Sequence, residues 1–325
     1  MEEVNITTVT EFIILGFPEF PDLQIPLFLL FLLIYLIVLM GNLTIISVTC
    51  LDIRLHTPMY FFLCNLSFID ISYTSVTLPK LLDIFLKKRG NISVKECFTQ
   101  LYFYLCLSCL EFVIISIMAY DRYVAICHPL LYTLIMNLRC CLLMASGTWI
   151  FGFLESVMHT ALISNLSYCG SNVINHFFCD LSALLKLSCS GTSTIDIISY
   201  IWSVIFGVPL FMSTLVSYVH IISAILRIRS SEGRRKAFST CSSHLSVVIL
   251  FYGTVIILYI RPTSMQSLEQ NKVFALLYNV LIPMFNPMIY SLKNREVKVA
   301  LRKAFTRYLL LPKIARMSEK VKHHN

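Results

Sequence analysis

Two carboxylates, Asp70 and Glu111, stand inside runs of apolar residues. An ionisable group at such a place is costly and defaults to a functional role. Two arrangements suit the pair: hydrogen bonding between helices, or a polar switch holding water, a shared proton or a cation such as Na+. Around the second carboxylate, Tyr104, Ser108, Glu111, Ile115, Met118 and Arg122 recur at the spacing of one helical face. At about 1.5 Å per residue that face is about 27 Å long. It passes from an uncharged tier to the acidic one and ends at the adjacent charges of Asp121 and Arg122. No HExxH, no GxSxG and no phosphate-cradling glycine loop occurs in the chain, so the pattern points away from an enzyme and implies no cofactor.

Cysteines and sequons add covalent chemistry. Of 12 cysteines, Cys97, Cys169, Cys179 and Cys189 fall in segments expected on the oxidising side of a membrane. Four cysteines permit three pairings, and the sequence alone does not choose among them. N-x-[ST] sequons begin at Asn5, Asn42, Asn65, Asn91 and Asn165. Asn42 and Asn65 lie within apolar runs, Asn91 and Asn165 close to the ends of others, which leaves Asn5 as the best glycan acceptor.

The elements that must position these residues follow from composition. Apolar residues make up 57% of the 325 residues and charged ones 14%, about half the charge a soluble domain carries. With 23 Phe and 16 Tyr, intrinsic disorder is excluded as well. The chain reads as a membrane protein. Seven runs are long enough to cross a bilayer: 26–49, 58–80, 97–120, 141–163, 197–225, 238–260 and 272–291. Residues 1–25 form an N-terminal segment without Lys or Arg, and 292–325 a basic tail. Placing the N-terminus outside puts 18 of the 26 Lys and Arg on the cytoplasmic side, with Lys87, Lys88 and Arg89 as a local exception. The net charge of +8 therefore suits a membrane surface and not nucleic acid. In the tail, Val297, Leu301, Ala304, Phe305 and Tyr308 recur at helical spacing between basic residues, as in a short interfacial helix. Pro209, Pro283 and Pro287 predict kinks in the fifth and seventh runs.

Several blocks carry a family likeness. Met118-Ala119-Tyr120-Asp121-Arg122-Tyr123-Val124-Ala125-Ile126-Cys127 resembles the signature of vertebrate olfactory receptors, within the rhodopsin-like (class A) G-protein-coupled receptors. Gly41-Asn42, Pro58 to Leu63 with Asp70, Ser217-Tyr218, Lys236 to Cys241 through His244, and Pro283 to Asn294 containing Asn286-Pro287-Met288-Ile289-Tyr290 agree with it, in order along nearly the whole chain. Tyr120 and His128 are similar to the tetrapod-type branch. Leu131 and Leu138 depart from the family pattern in the second inner loop, and Glu155 is unusual on the fourth run, where it pairs naturally with His159 one turn on.

The resemblance implies an all-α fold of seven transmembrane helices with a short amphipathic eighth. It implies bridges Cys97–Cys179 and Cys169–Cys189, and a switch and coupling set of Asn42, Asp70, Glu111, Asp121, Arg122, Tyr123, Tyr218, His244, Tyr252, Asn286, Pro287 and Tyr290. The family's usual cavity falls on Tyr104, Leu105, Ser108, Cys109, Trp202, Ser203, Phe206, Val255, Ile256, Tyr259, Leu276 and Asn279. None of these is charged at neutral pH, so the expected ligand is a small, neutral, mostly apolar volatile. The implied partners are that odorant, a stimulatory olfactory-type heterotrimeric G protein raising cyclic AMP, and the bilayer of the plasma membrane. A channel or transporter is the rival class, but no inverted repeat or polar file across the membrane is visible.

Overall fold

The computed structural model describes residues 9–169, 171–260, 268–293 and 296–303. Long helices dominate, and each is started or stopped by an identifiable local signal. The first, α1 (Gln24–Leu51), follows a 3-10 turn at Pro21–Leu23. Next, α2 (Pro58–Lys87) has Pro58 in its first turn, where its missing N–H costs nothing, and ends at Lys88 in the left-handed region at φ 54°. A capping box opens α3 (Val94–Cys127): Ser93 accepts from Glu96 N–H while the Glu96 carboxylate accepts from Ser93 N–H. A single turn, α4 (Tyr132–Ile135), leads to α5 (Leu138–Ser164), which Asn137 caps by accepting from Cys140 N–H.

The loop after α5, called the outer loop after the orientation that the charge bias leads one to expect, holds α6 (Leu181–Leu187). The fifth span is α7 (Ser193–Trp202), a π-helical turn at Ser203–Gly207, and α8 (Val208–Arg227). The sixth, α9 (Ser231–Ile260), is bent by 49° between Ser231–Ser239 and Cys241–Ile256. There Cys241 and Ser242 bond back to the carbonyls of Phe238 and Ser239, a habit that bends helices. The seventh is α10 (Leu268–Leu276), a second π turn at Leu277–Leu281, and α11 (Ile282–Lys293). Counting the bent helix as one span gives seven apolar crossings, so the fold is a seven-transmembrane bundle and the chain a multi-pass membrane protein. Leucine-rich outward faces, such as Leu29, Leu33, Leu154 and Val219, stay exposed, as lipid-facing surfaces must.

Residues 296–303 are helical. Val297 and Ala300 are buried and belong to the main core, so this segment packs one face on the bundle. Tyr60 on α2 donates to Glu296 at 2.6 Å. Ala304, Phe305 and Tyr308, which complete the expected interfacial face, lie outside the described residues, as does Asn5.

At the outer end a three-stranded sheet caps the bundle in the order β2-β1-β3. Strand β1 (Glu11–Ile14) lies antiparallel to β2 (Asn91–Ser93) and parallel to β3 (Val173–Ile174), with Ile13 opposite both Asn91 and Val173. Gly90 lets the chains close, since a Cβ there would fall 1.8 Å from Ile14 O. Phe17 stacks on Phe31, Phe85 and Phe177, and buried Lys272 donates to Gly16 O and to the Glu19 carboxylate, both at 3.0 Å. Disulfides Cys97–Cys179 and Cys169–Cys189 tie the outer loop to α3 and to itself.

Candidate functional site

The site is a ladder of buried polar groups along α3, each rung shared with another span. At the top, the Tyr104 ring meets Phe178 of the outer loop at 4.7 Å and Tyr73 of α2 at 5.3 Å. Tyr73 donates to Asn279 Oδ1 at 2.6 Å and accepts from Ser108 Oγ at 3.1 Å. Asn279 is fully buried, and its Nδ2 has no hydrogen-bond partner among the described residues. It sits in the second π turn, which inserts a residue and turns consecutive side chains to different neighbours. Thus Tyr278, one position earlier, donates to Glu111 Oε2 at 3.3 Å, while Glu111 Oε1 has no hydrogen-bond partner among the described residues.

One level down, Asn286 Nδ2 donates to both Asp70 oxygens, at 3.2 and 3.0 Å, and both residues are buried. Asp70 and Glu111 thus lie on adjacent levels joined through the seventh span. Proline explains the next contact. Pro287 lacks the N–H that would bond the carbonyl of residue 283. Asn42 on α1 supplies the missing donor, at 3.2 Å, and also bonds Val38 O. Gly41 makes room for this approach: a Cβ there would sit 3.0 Å from Pro287 Cγ.

Further in, Ser116 on α3, Thr214 on α8 and Tyr252 on α9 place their hydroxyls 3.1 Å from one another in a closed ring. Tyr218 and His244 Nδ1 are 2.5 Å apart, joining the fifth and sixth spans, and Tyr290 is fully buried nearby in the core. At the inner end Arg122 donates to Asp121, which also accepts from Tyr132 at 2.8 Å. Tyr123 contacts His128 at 3.0 Å.

The remaining cavity residues are distributed differently. Trp202 and Phe206 pack on Phe151 of the fourth span, and Trp202 also meets the edge of His159. Ser203 is exposed and bonds back to Ser199 O. Leu105 packs against the cluster around the Cys97–Cys179 bridge, Leu276 against that around Phe178, and Val255 against the main core. Cys109 is half-buried and Ile256 partly exposed, whereas the side chain of Tyr259 lies outside the described residues. Glu155 and His159 are paired at 2.9 Å. The Asn91 and Asn165 side chains are exposed. Sequence reasoning missed Tyr73, Tyr278, Tyr132, Ser116, Thr214 and Phe178. The only available signal was helical spacing: Tyr73 falls one turn after Asp70, and Ser116 midway between Glu111 and Asp121.

Seven spans, a bridge from the third to the outer loop, a buried Asp–Asn pair between the second and seventh and an Asp–Arg pair at the inner end of the third define a class A G-protein-coupled receptor. A family model described as olfactory receptor matches residues 31–308. Olfactory receptor 5AR1 of Mus musculus is 48% identical over 303 residues, covering 93% of this chain and 98% of that protein. Olfactory receptor 13D1 of Homo sapiens is 48% identical over 314 residues (97% and 91%), and olfactory receptor 226 of Rattus norvegicus 49% over 299 (91% of each). The chain belongs to the olfactory receptor family, of the tetrapod type. It is an odorant-sensing G-protein-coupled receptor, and that membership accords with a non-enzymatic role.

Proposed function

We propose that the receptor binds a small, neutral, mostly apolar volatile carrying one hydrogen-bond acceptor, such as a ketone, aldehyde or ester, at micromolar potency. The observation that carries this reading is Asn279. Its carbonyl oxygen already accepts from Tyr73 while its Nδ2 has no partner among the described residues, so the unmet need of the amide is for a ligand acceptor. A buried donor without a partner costs about 1–3 kcal/mol, which a ligand carbonyl would recover. The Glu155–His159 pair beside Trp202 is mutually satisfied and offers an ionic ligand no free counter-charge there.

The ligand acts by binding one packing of the bundle better than another. Asp70 and Glu111 form the polar switch, and Arg122 is released from Asp121 as the inner ends of the third and sixth spans part. The partner is a stimulatory, olfactory-type G protein that raises cyclic AMP, with the N-terminus outside the plasma membrane and the basic tail in the cytoplasm. Carbonyl agonists and hydrocarbons of equal size, tested in a cyclic AMP reporter on Asn279→Leu, check the reading. Carbonyl potency should fall about tenfold or more, that of hydrocarbons little. A best agonist that is a permanent cation or a peptide would refute it.

A further inference from the structure

The run Lys87-Lys88-Arg89 breaks the charge bias of the chain, and nothing in the odorant site uses it. In the structure it borders a cavity of about 500 Å3 between strand β1, the end of α2 and the start of α1. The walls divide by chemistry. Ile13, Ile14, Leu15, Pro18 and Ile84 supply an apolar surface, Gln24 and Asn91 contribute amides, and Lys88 and Arg89 form a basic rim. Leu86, Leu23 and Ile25, which flank these residues in the chain, are exposed, so the cavity lies beside the lipid-facing belt.

Charge on the rim is uncompensated. Asp83 is held by Lys87 at 2.8 Å and by Lys80 at 3.7 Å. Among the described residues neither Lys88 nor Arg89 has an ion-pair partner. Both residues line the cavity, and the backbone that carries them is fixed. Lys88 takes the left-handed conformation that ends α2, and the chain then runs back against β1 through the bond from Ile14 N–H to Gly90 O. A guanidinium and an ammonium on one rim suit a carboxylate, and the apolar wall suits an alkyl chain.

We propose that this cavity binds a free, single-chain anionic amphiphile, a medium-chain carboxylate. Its head lies on Lys88 and Arg89 and its chain on Ile13, Leu15 and Ile84. The volume is that of a pocket for one small ligand, well below what a two-chain phospholipid fills. The occupant clamps β1 to α2 and so holds the outer cap in place, away from the polar ladder along α3.

The test uses the full-length receptor in nanodiscs of zwitterionic lipid, with dodecanoate as the probe and equilibrium dialysis as the readout. Lys88→Gly combined with Arg89→Ser removes both charges and keeps the left-handed turn easy for the backbone. Saturable binding should weaken about tenfold or more in this variant. The thermal midpoint without dodecanoate should hold, which separates loss of the site from loss of the fold. Dodecyltrimethylammonium should not compete. Equal dodecanoate affinity in receptor and variant, or competition by the cationic analogue, overturns the proposal. Displacement of dodecanoate by phosphatidylglycerol in the nanodisc overturns the single-chain occupant in favour of a bilayer lipid.

Discussion

A side chain of this receptor is best understood by what it takes from its neighbour. Asn279 loses its acceptor to Tyr73, and Asp121 divides its oxygens between Arg122 and Tyr132. The second arrangement, with the proposed release of Arg122 on activation, predicts that Arg122→Ala abolishes odorant-evoked cyclic AMP at matched surface level. An undiminished response at equal surface density would remove Arg122 from the coupling set. Tyr132→Phe should act in the opposite sense, raising basal cyclic AMP, since Asp121 then keeps one hydrogen bond fewer and the inner lock loosens by about 1 kcal/mol. Basal activity unchanged or lowered in that variant would argue against the lock.

Among the elements, the spans were the most legible part of the chain and the outer cap the least. A bilayer demands about 20 apolar residues in a row, so a helix such as α1 announces itself. Strands of two to four residues carry no period, and β1 finds its partners about 80 and 160 positions away. The resemblance named Asp70, Asn286 and Arg122, but the tyrosines and hydroxyls that satisfy them depend on how neighbouring helices face, which one strand of sequence does not encode. The π turns matter here: an extra residue at 277–281 sends Tyr278 to Glu111 and Asn279 to Tyr73, against a uniform helical count. Two predictions concern how elements are joined. Cys97→Ser should cost about 2–5 kcal/mol by freeing the outer loop, and should reduce surface receptor before it changes ligand preference. Normal trafficking and potency would contradict the bridge's importance. Gly41→Val should lower the thermal midpoint by an overpacking cost of about 1–3 kcal/mol, because its side chain meets the Pro287 ring. An unchanged midpoint would mean that the first and seventh spans part without penalty.

For the whole molecule, the cap and the bundle respond differently to acid. His176, buried between Phe177 and Phe178 beneath the cap, has its pKa lowered from 6.5, chiefly by burial, which outweighs the opposite pull of Asp180, with a lesser lowering by the Lys272 charge. Glu19 is also lowered: burial raises it, but its own backbone N–H and Lys272 outweigh that. Both groups therefore contribute stability that is present above their ordinary values and lost as pH falls through the folded ones. Acid should loosen the cap, first as His176 takes a proton below about pH 6.5 and later as Glu19 does. Hydrogen exchange at the amides of Ile13, Ile14, Leu15 and Gly16, corrected for intrinsic rate, should quicken between pH 7.5 and pH 5 relative to amides of α3. Equal protection at both values would exclude the histidine from this role.

The position of β1 at the centre of the sheet also sets an order of assembly during synthesis. The first strand to leave the ribosome is the one that both others require, and its parallel partner ends at Ile174. At about 5–20 residues per second, Ile14 waits roughly 8–32 s for that partner to be made. Until then the strand has only β2, made about 80 residues earlier, to pair with, so its other edge stays open while four spans are threaded. A ribosome stalled shortly before residue 173 would leave the N-terminal strand paired on one edge only and more open to protease than one stalled shortly after the loop has been threaded. Tags and fusions placed upstream of Val9 inherit the same delay.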